Sequence, residues 1–430
     1  MTKYLVQKFL WFRERGFVQI SQKTLVSLFP FLLFSAIVRV ISQSLFSDRG
    51  YVNMLFSVSD WFPGFQLTGQ VLSNLSSFIG GLAGPLATYF AGKYTAGHYG
   101  RSTGTTGVTA LLVSFIVSSQ GLLMGPLRDG QLSPIHLSVS TNIFLAIFLG
   151  YLIGHIFRLS KASDDQIVNK DFIYQPKTVR PIFLSLLLGV SLNGLLVLGN
   201  QYRVFQTIGQ FFSSLTVTSH HLLSTFVMGL LNGLSGWVGN SQVFALNSIA
   251  DDSFALENLT YAVTNHTTTG IPYPYTLTNL YRSYGMVAGV GAVLALLVAI
   301  LLFSRSQKDK KVSLLSLFPS LFNNGASFMV GIPILLNLLY VLPFLLIPLV
   351  NMAIAALALF FKLMPAAVYS VPDGTPSLLY AFIGAGGSLR GLAVSLFCFA
   401  LDVALYIPFV RMGNQVRKDL LEEGGSHERL

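Results

Sequence analysis

Two stretches carry side chains suited to holding a polyhydroxylated ligand. Residues 234–244, LSGWVGNSQVF, set Trp237 beside Asn240 and Gln242 and flank the indole with Gly236 and Gly239. An aromatic face next to amides is what a sugar ring and its hydroxyls require. A tryptophan anchored at a membrane interface is the competing reading of the same residues. Residues 318–350 place Asn323, Asn324, Gly325 and Ala326 between apolar runs. Polar backbone at membrane depth must be met by protein or by a water-filled cavity, so Asn323 and Asn324 read as cavity lining. Gly325 and Gly331 permit unusual backbone angles, while Pro333, Pro343 and Pro348 interrupt what would otherwise be one apolar helix. The pattern is a helix broken around a polar island.

Other chemistry-bearing residues are sparser. His98 and Arg101, within GKYTAGHYGRSTGTTG (92–107), are either ligand contacts at a cavity entrance or a solvated loop pair. His220 and His221 stand in an apolar segment with no metal-type residue at useful spacing, so neither a metal nor a cofactor is expected. Asp402 lies in the last apolar run and must face protein or a cavity, as a buried paired carboxylate or as a proton site. Cys398, the single cysteine, leaves no internal disulfide to form.

These residues need a membrane scaffold. The chain has 430 residues, 52% hydrophobic and 10% charged, with a mean hydropathy of +0.63. One soluble core cannot absorb that many apolar runs. The formal charge of +10 reads as the positive-inside bias of cytoplasmic loops; no basic segment is interleaved with stacking aromatics, so no nucleic-acid surface is expected. Lys3, Lys8, Arg13, Arg15 and Lys23 punctuate the N-terminus, which argues against a secretory signal and for a cytoplasmic start. Residues 2–17 suit either an interfacial helix or a juxtamembrane segment.

Spans are expected near 25–46, 72–91, 108–124, 135–157, 182–200, 285–303 and 389–409, with 211–234 also long enough to cross. Residues 92–107 read as a connection too glycine-rich for regular helix, and 251–282 as a polar excursion of turns around Pro272 and Pro274. SRSQKDKK (304–311) and the terminal Arg411, Arg417 and Lys418 mark the cytoplasmic side. Both termini then lie inside, with about ten crossings. The linker 158–180, carrying five basic residues, divides the chain into an N-terminal helical domain (1–170) and a C-terminal domain (171–430).

Four segments, in this order and spacing, resemble the membrane subunit, enzyme IIC, of the lactose/cellobiose/diacetylchitobiose family of phosphotransferase-system sugar permeases. They are QKTLVSLFPFLLFSAI, HYGRSTGTTGVTALLVSFI, LLFSRSQKDKKVSLLSLFPSLFNNGASFMVGIPILLN and VPDGTPSLLYAFIGAGGSLRGL. The resemblance implies an all-α protein of a bacterial inner membrane, a homodimer joined through its N-terminal helices. It implies a C-terminal half with re-entrant hairpins that holds a disaccharide and moves as an elevator. Separate cytoplasmic IIA and IIB subunits would deliver the phosphoryl group.

By the same resemblance, Asn323, Asn324, Gly325 and Ala326 form the sugar motif, Asp373 and Thr375 the threonine–proline loop, and Trp237 and Asn240 the glycine-flanked loop. His98 opens the second segment. The family places a glutamate where this chain has Ala326, a histidine in the loop that here reads Ser235 to Asn240, and a tryptophan near the position of Asp373 and Gly374. Alanine can neither take a proton nor orient a hydroxyl, and a general base contributes ~10²- to 10⁴-fold in rate. The scaffold therefore implies a sugar permease with coupled phosphorylation impaired; a sugar sensor of the same fold, acting through a signalling partner, is the alternative.

Overall fold

An apolar run in a bilayer has no water to bond its backbone, so its amides must pair within the segment, which makes helix the local solution. The computed structural model describes residues 11–12, 14–120, 136–137, 142–159, 178–204, 206–207, 210, 221–239, 252–287 and 289–427. In chain order its helices are α1 (Gly16–Leu45), α2 (Tyr51–Phe56), α3 (Val58–Trp61), α4 (Phe65–Gly81), α5 (Ala83–His98), α6 (Thr103–Ser118), α7 (Ile143–Phe157), α8 (Val179–Gln201), α9 (Leu222–Trp237) and α10 (Ser253–Asn265). A π-helix (Thr278–Gly285) follows, then α11 (Val293–Phe303), α12 (Gln307–Leu321), α13 (Ala326–Gly331), α14 (Leu338–Phe360), α15 (Tyr380–Gly384) and α16 (Leu389–His427). Extended pairing among the described residues is limited to Ser119–Gln120 against His136–Leu137 and one bridge between Gly50 and Asp373.

Helices α1, α8 and α14 and residues 389–418 of α16 are long and apolar enough to cross a bilayer; α6, α7, α9 and α11 are shorter apolar helices. The all-α membrane fold read from the sequence holds over the described residues. Asn240, Gln242, His220, Arg128, Asp129 and most of the basic linker, 160–177, lie outside them.

Several boundaries differ from the sequence reading. The span expected at 72–91 breaks at Leu82 between α4 and α5, where Pro85 lacks the amide hydrogen that would continue the ladder. Residues 92–107 are helical except for a short link at 99–102. Their glycines serve close packing rather than irregular backbone: a Cβ on Gly92 would strike Ala110, and one on Gly107 the ring of Tyr89. Only Val293–Phe303 of the 285–303 run is α-helix, because the preceding turn puts Gly289, Gly291 and Ala292 at positive φ. Within 251–282, α10 forms because Asp252 caps it, its Oδ1 accepting from Ala255 N at 3.1 Å. Pro343 and Pro348 lie inside continuous α14, both buried by neighbouring protein.

Two compact units divide the chain: one comprises 13–31 and 78–210, the other 1–12, 32–77 and 211–430. In the smaller unit α5 and α7 meet through small residues. A Cβ on Gly150 would collide with the Thr88 carbonyl and Ala91, and one on Gly154 with Thr95, so the two backbones approach closely. Asn193 of α8 donates to the carbonyls of Ile116 (2.9 Å) and Ser119 (2.8 Å), satisfying acceptors at the open end of α6.

The larger unit is built around α11. Its residues Val293–Leu297, Ala299 and Ile300 are buried against Phe328, Ile334, Phe344, Ile347 and Tyr406. Gly291, at φ +82°, lies where a Cβ would enter the Phe344 ring, and its carbonyl accepts from the Tyr406 hydroxyl at 2.5 Å. A second core joins Met228, Tyr281, Tyr284, Met352, Ala355 and Ala381 around the π-helix. Asp402 is fully buried, and its Oδ2 accepts from Asn351 Nδ2 at 2.9 Å. The acidic residue in the last span therefore faces protein, with an amide partner.

Candidate functional site

The polar island adopts the broken-helix form its composition suggests. α12 ends just beyond Pro319, and the chain turns back on that end: Asn324 N donates to Pro319 O (2.9 Å) and Asn323 N to Ser320 O (3.2 Å). Asn323 takes the left-handed conformation, φ +62°, which asparagine tolerates better than most residues with a Cβ. Gly325 then caps α13, and Met329 N returns to its carbonyl at 3.1 Å.

The threonine–proline loop docks on this break. Ser377 Oγ donates to Ser320 O (3.4 Å) and Leu321 O (3.3 Å). The same loop is clamped to the chain after α1 by paired backbone bonds, Asp373 N to Arg49 O (2.8 Å) and Tyr51 N to Asp373 O (2.9 Å). Gly374, at φ +63°, presses against Ser44 so closely that a side chain would not fit. Asn324 Nδ2 makes a long contact of 3.5 Å with Ala36 O of α1. Within the larger unit, Asn323, Asn324, Gly325, Asp373 and Thr375 thus belong to one neighbourhood formed by the helix break, the loop and the second half of α1.

The side chains there are unevenly satisfied. Asn323 Oδ1, Ser327 Oγ, Ser320 Oγ and Ser316 Oγ are buried without a hydrogen-bond partner. Buried polar atoms are nearly always paired, so a group of unpaired ones marks a place where a polar ligand or water belongs. Thr375 is buried, but its hydroxyl donates to Pro372 O at 2.8 Å and so shapes its own loop. Asp373 and Ala326 are exposed. The methyl group of Ala326 leaves the first turn of α13 with no titratable group at that position.

Trp237 closes α9. Its ring packs on the core that includes Phe328, together with Leu317 and Met329, residues that bracket the island in sequence. Its Nε1 is buried and unpartnered. No hydrogen bond among the described residues joins it to Asn323 or Asn324; the link is through Leu317, Phe328 and Met329, which flank the island in sequence and belong to the same core. Gly236, beside it, touches Val290 so tightly that a Cβ would clash. Asn240 lies outside the described residues. His98 belongs to the smaller unit, exposed at the end of α5 with its ring 5.0 Å from that of Tyr99.

Sequence reading missed the serines. Ser313, Ser316 and Ser320 fall on one face of α12 at helical spacing, and all three are buried. That periodicity was visible in the sequence, a polar stripe on the part of the helix from Val312 to Leu321 whose other positions are apolar. Ser377 and Ser327 carried no such signal.

The phosphotransferase system EIIC family model matches residues 22–348, about three quarters of the chain and the whole of the asparagine island. The chain belongs to the phosphotransferase system EIIC family. Among EIIC relatives, it is 29% identical to the cellobiose-specific EIIC component of Lactococcus lactis over 142 residues, 33% of this chain and 29% of that protein. It is 22% identical to the oligo-β-mannoside-specific EIIC component of Bacillus subtilis over 420 residues, 92% of this chain and 89% of that one. The first alignment spans less than a third of its relative's length; the second is nearly end to end. The solved structure of ChbC, the IIC component from the N,N'-diacetylchitobiose-specific system, aligns over 98% of this chain and 99% of that one, with 20% identity and a TM-score of 0.42. Family membership and the apolar helices together make this EIIC chain a multi-pass membrane protein.

Proposed function

We propose that this EIIC chain is the membrane subunit of a carbohydrate permease that binds and translocates an oligosaccharide of the disaccharide class. The observation that carries the reading is the broken helix at 322–325, where Asn323 Oδ1 and neighbouring serine hydroxyls are buried without partners. Hydroxyl-rich ligands supply both donors and acceptors to such atoms. Trp237, Asn240, Asn323, Asn324, Gly325, Ala326, Asp373, Thr375 and His98 are the proposed contacts, with Trp237 offering an apolar face. Relatives named for cellobiose and oligo-β-mannoside favour the same substrate class.

In this proposal residues 1–170 form the helical domain through which two copies dimerise, and residues 171–430 carry the sugar by an elevator motion. Both termini face the cytoplasm of a bacterium, where IIA and IIB subunits or a signalling partner would dock. Phosphorylation on the membrane subunit is weak or absent, because Ala326 offers no base. That residue also favours the second reading, a sensor in which ligand shifts a conformational equilibrium without transport.

Equilibrium binding of a disaccharide panel to the purified chain tests the first claim. Saturable binding is expected, and no binding across the panel would remove the basis for both readings. Uptake by proteoliposomes separates them, since sugar entry excludes a pure sensor.

A further inference from the structure

The larger unit contains a cavity of about 900 Å³ that none of the proposed sugar contacts among the described residues lines. Its wall includes Lys362, just past the end of α14, and Arg390, in the first turn of α16, with Thr268, Thr269 and Ser388 among the remaining residues. Among the described residues no aspartate or glutamate lines it. Both basic residues are exposed, and among the described residues neither has a carboxylate partner. Ser388 Oγ accepts from Gly391 N at 3.4 Å, so its hydroxyl hydrogen is free to point elsewhere.

Positive-inside bias accounts for the other basic residues of these helices but not for these two. Arg417 pairs with Asp309 at 2.7 Å, and Asn414 bonds Phe303 O (3.0 Å) and Arg305 N (3.0 Å), so the basic segment 305–311 and the basic stretch of α16 gather at one end. At ~1.5 Å per residue, α16 carries Arg390 about 40 Å from Arg417, the thickness of a bilayer with its headgroups. A pair of unneutralised cations at the far end, in a cavity whose largely apolar wall carries the hydroxyls of Thr268, Thr269 and Ser388, calls for an anion.

We propose that this cavity binds an oxyanion, a phosphate or carboxylate group held by Lys362 and Arg390 and by the hydroxyls of Thr268, Thr269 and Ser388. The guanidinium supplies a planar fork of donors and the ammonium a point charge, which together suit a tetrahedral or planar oxyanion. The positive end of the α16 dipole adds to the same field. The anion comes either from a soluble ligand or from a lipid headgroup. The site goes beyond the saccharide reading and does not rest on it.

The test uses the full-length chain in a detergent without a sugar headgroup. Inorganic phosphate and glucuronate are titrated calorimetrically, and retention of phosphatidylglycerol against phosphatidylcholine is read by native mass spectrometry. The parent is compared with the double variant Lys362→Gln/Arg390→Gln, and with Arg411→Gln as a control at the other end. Saturable binding of either soluble anion identifies a free ligand, and selective phosphatidylglycerol retention identifies a headgroup. In both cases the double variant should bind about tenfold more weakly, the loss expected for two solvent-exposed charge contacts, with Arg411→Gln unchanged. Thermal melting of each variant checks that it folds. The proposal is overturned if no probe binds the parent saturably, or if a folded double variant binds as the parent does.

Discussion

Asn323 offers a way to separate the backbone role of an island residue from its role toward ligand. Its φ of +62° lies in a region that glycine enters freely and alanine does not. Its Oδ1 is buried without a partner, so no internal hydrogen bond is lost when the amide is removed. Asn323→Gly should therefore leave the fold intact, with stability within about 0.5 kcal/mol of the parent. Asn323→Ala should destabilise by about 1 kcal/mol, the cost of placing an alanine Cβ in the left-handed region. Toward ligand the two should agree. Each loses one neutral hydrogen bond of about 1 kcal/mol, or roughly fivefold in Kd. The assay pairs thermal melting of each purified variant with calorimetric titration of the disaccharide the parent binds best. Asn323→Gly binding that sugar as tightly as the parent would refute the assignment of Oδ1 as a sugar contact. An Asn323→Ala that melts with Asn323→Gly would refute the backbone argument.

Other positions give independent checks. Gly291→Ala combines a φ of +82° with a Cβ directed into the Phe344 ring, and should cost more than about 2 kcal/mol in thermal or denaturant unfolding; an unchanged melting temperature contradicts the packing described. Asn351→Ala removes the donor to buried Asp402 Oδ2 and to the Tyr284 carbonyl and should destabilise by about 1–3 kcal/mol in the same measurement, the cost of leaving buried acceptors unpaired; an unchanged melting temperature contradicts that role. Ala326→Glu places a carboxylate at an exposed position in the first turn of α13, so the variant should fold as the parent does. Combined with a histidine in the loop after Trp237 and a matching IIB subunit, it should gain sugar-phosphate formation, and failure across a panel of IIB subunits would count against the alignment of Ala326 with the family's glutamate.

Much of the scaffold was legible in the sequence because a bilayer leaves apolar runs few choices. The island at 322–325 was marked by its own residue types, since Asn323, Asn324 and Gly325 between apolar segments can be neither ordinary core nor ordinary loop. Less was legible where glycine decides. Gly80, Gly81, Gly92 and Gly107 have the same composition signature whether they loosen a helix or let two helices touch, and only the neighbours of Gly92 and Gly107, Ala110 and Tyr89, show close packing there. Gly289 and Gly291 do the opposite within an equally apolar run, taking positive φ and breaking it. Proline misled in both directions: Pro85 stands just after a break, whereas Pro343 and Pro348 sit within continuous, buried helix. The docking of the 373–377 loop on Ser320 and Leu321 depends on contacts more than fifty residues apart in sequence, which no local pattern encodes.

Counterflow of a radiolabelled disaccharide in proteoliposomes, with no phosphotransfer subunits present, tests the permease reading most directly. Vesicles holding this chain and preloaded with unlabelled sugar should take up label transiently and saturably, and Asn323→Gly should raise the half-saturating concentration. Saturable binding to the purified chain without any counterflow, for each sugar that binds, would contradict translocation.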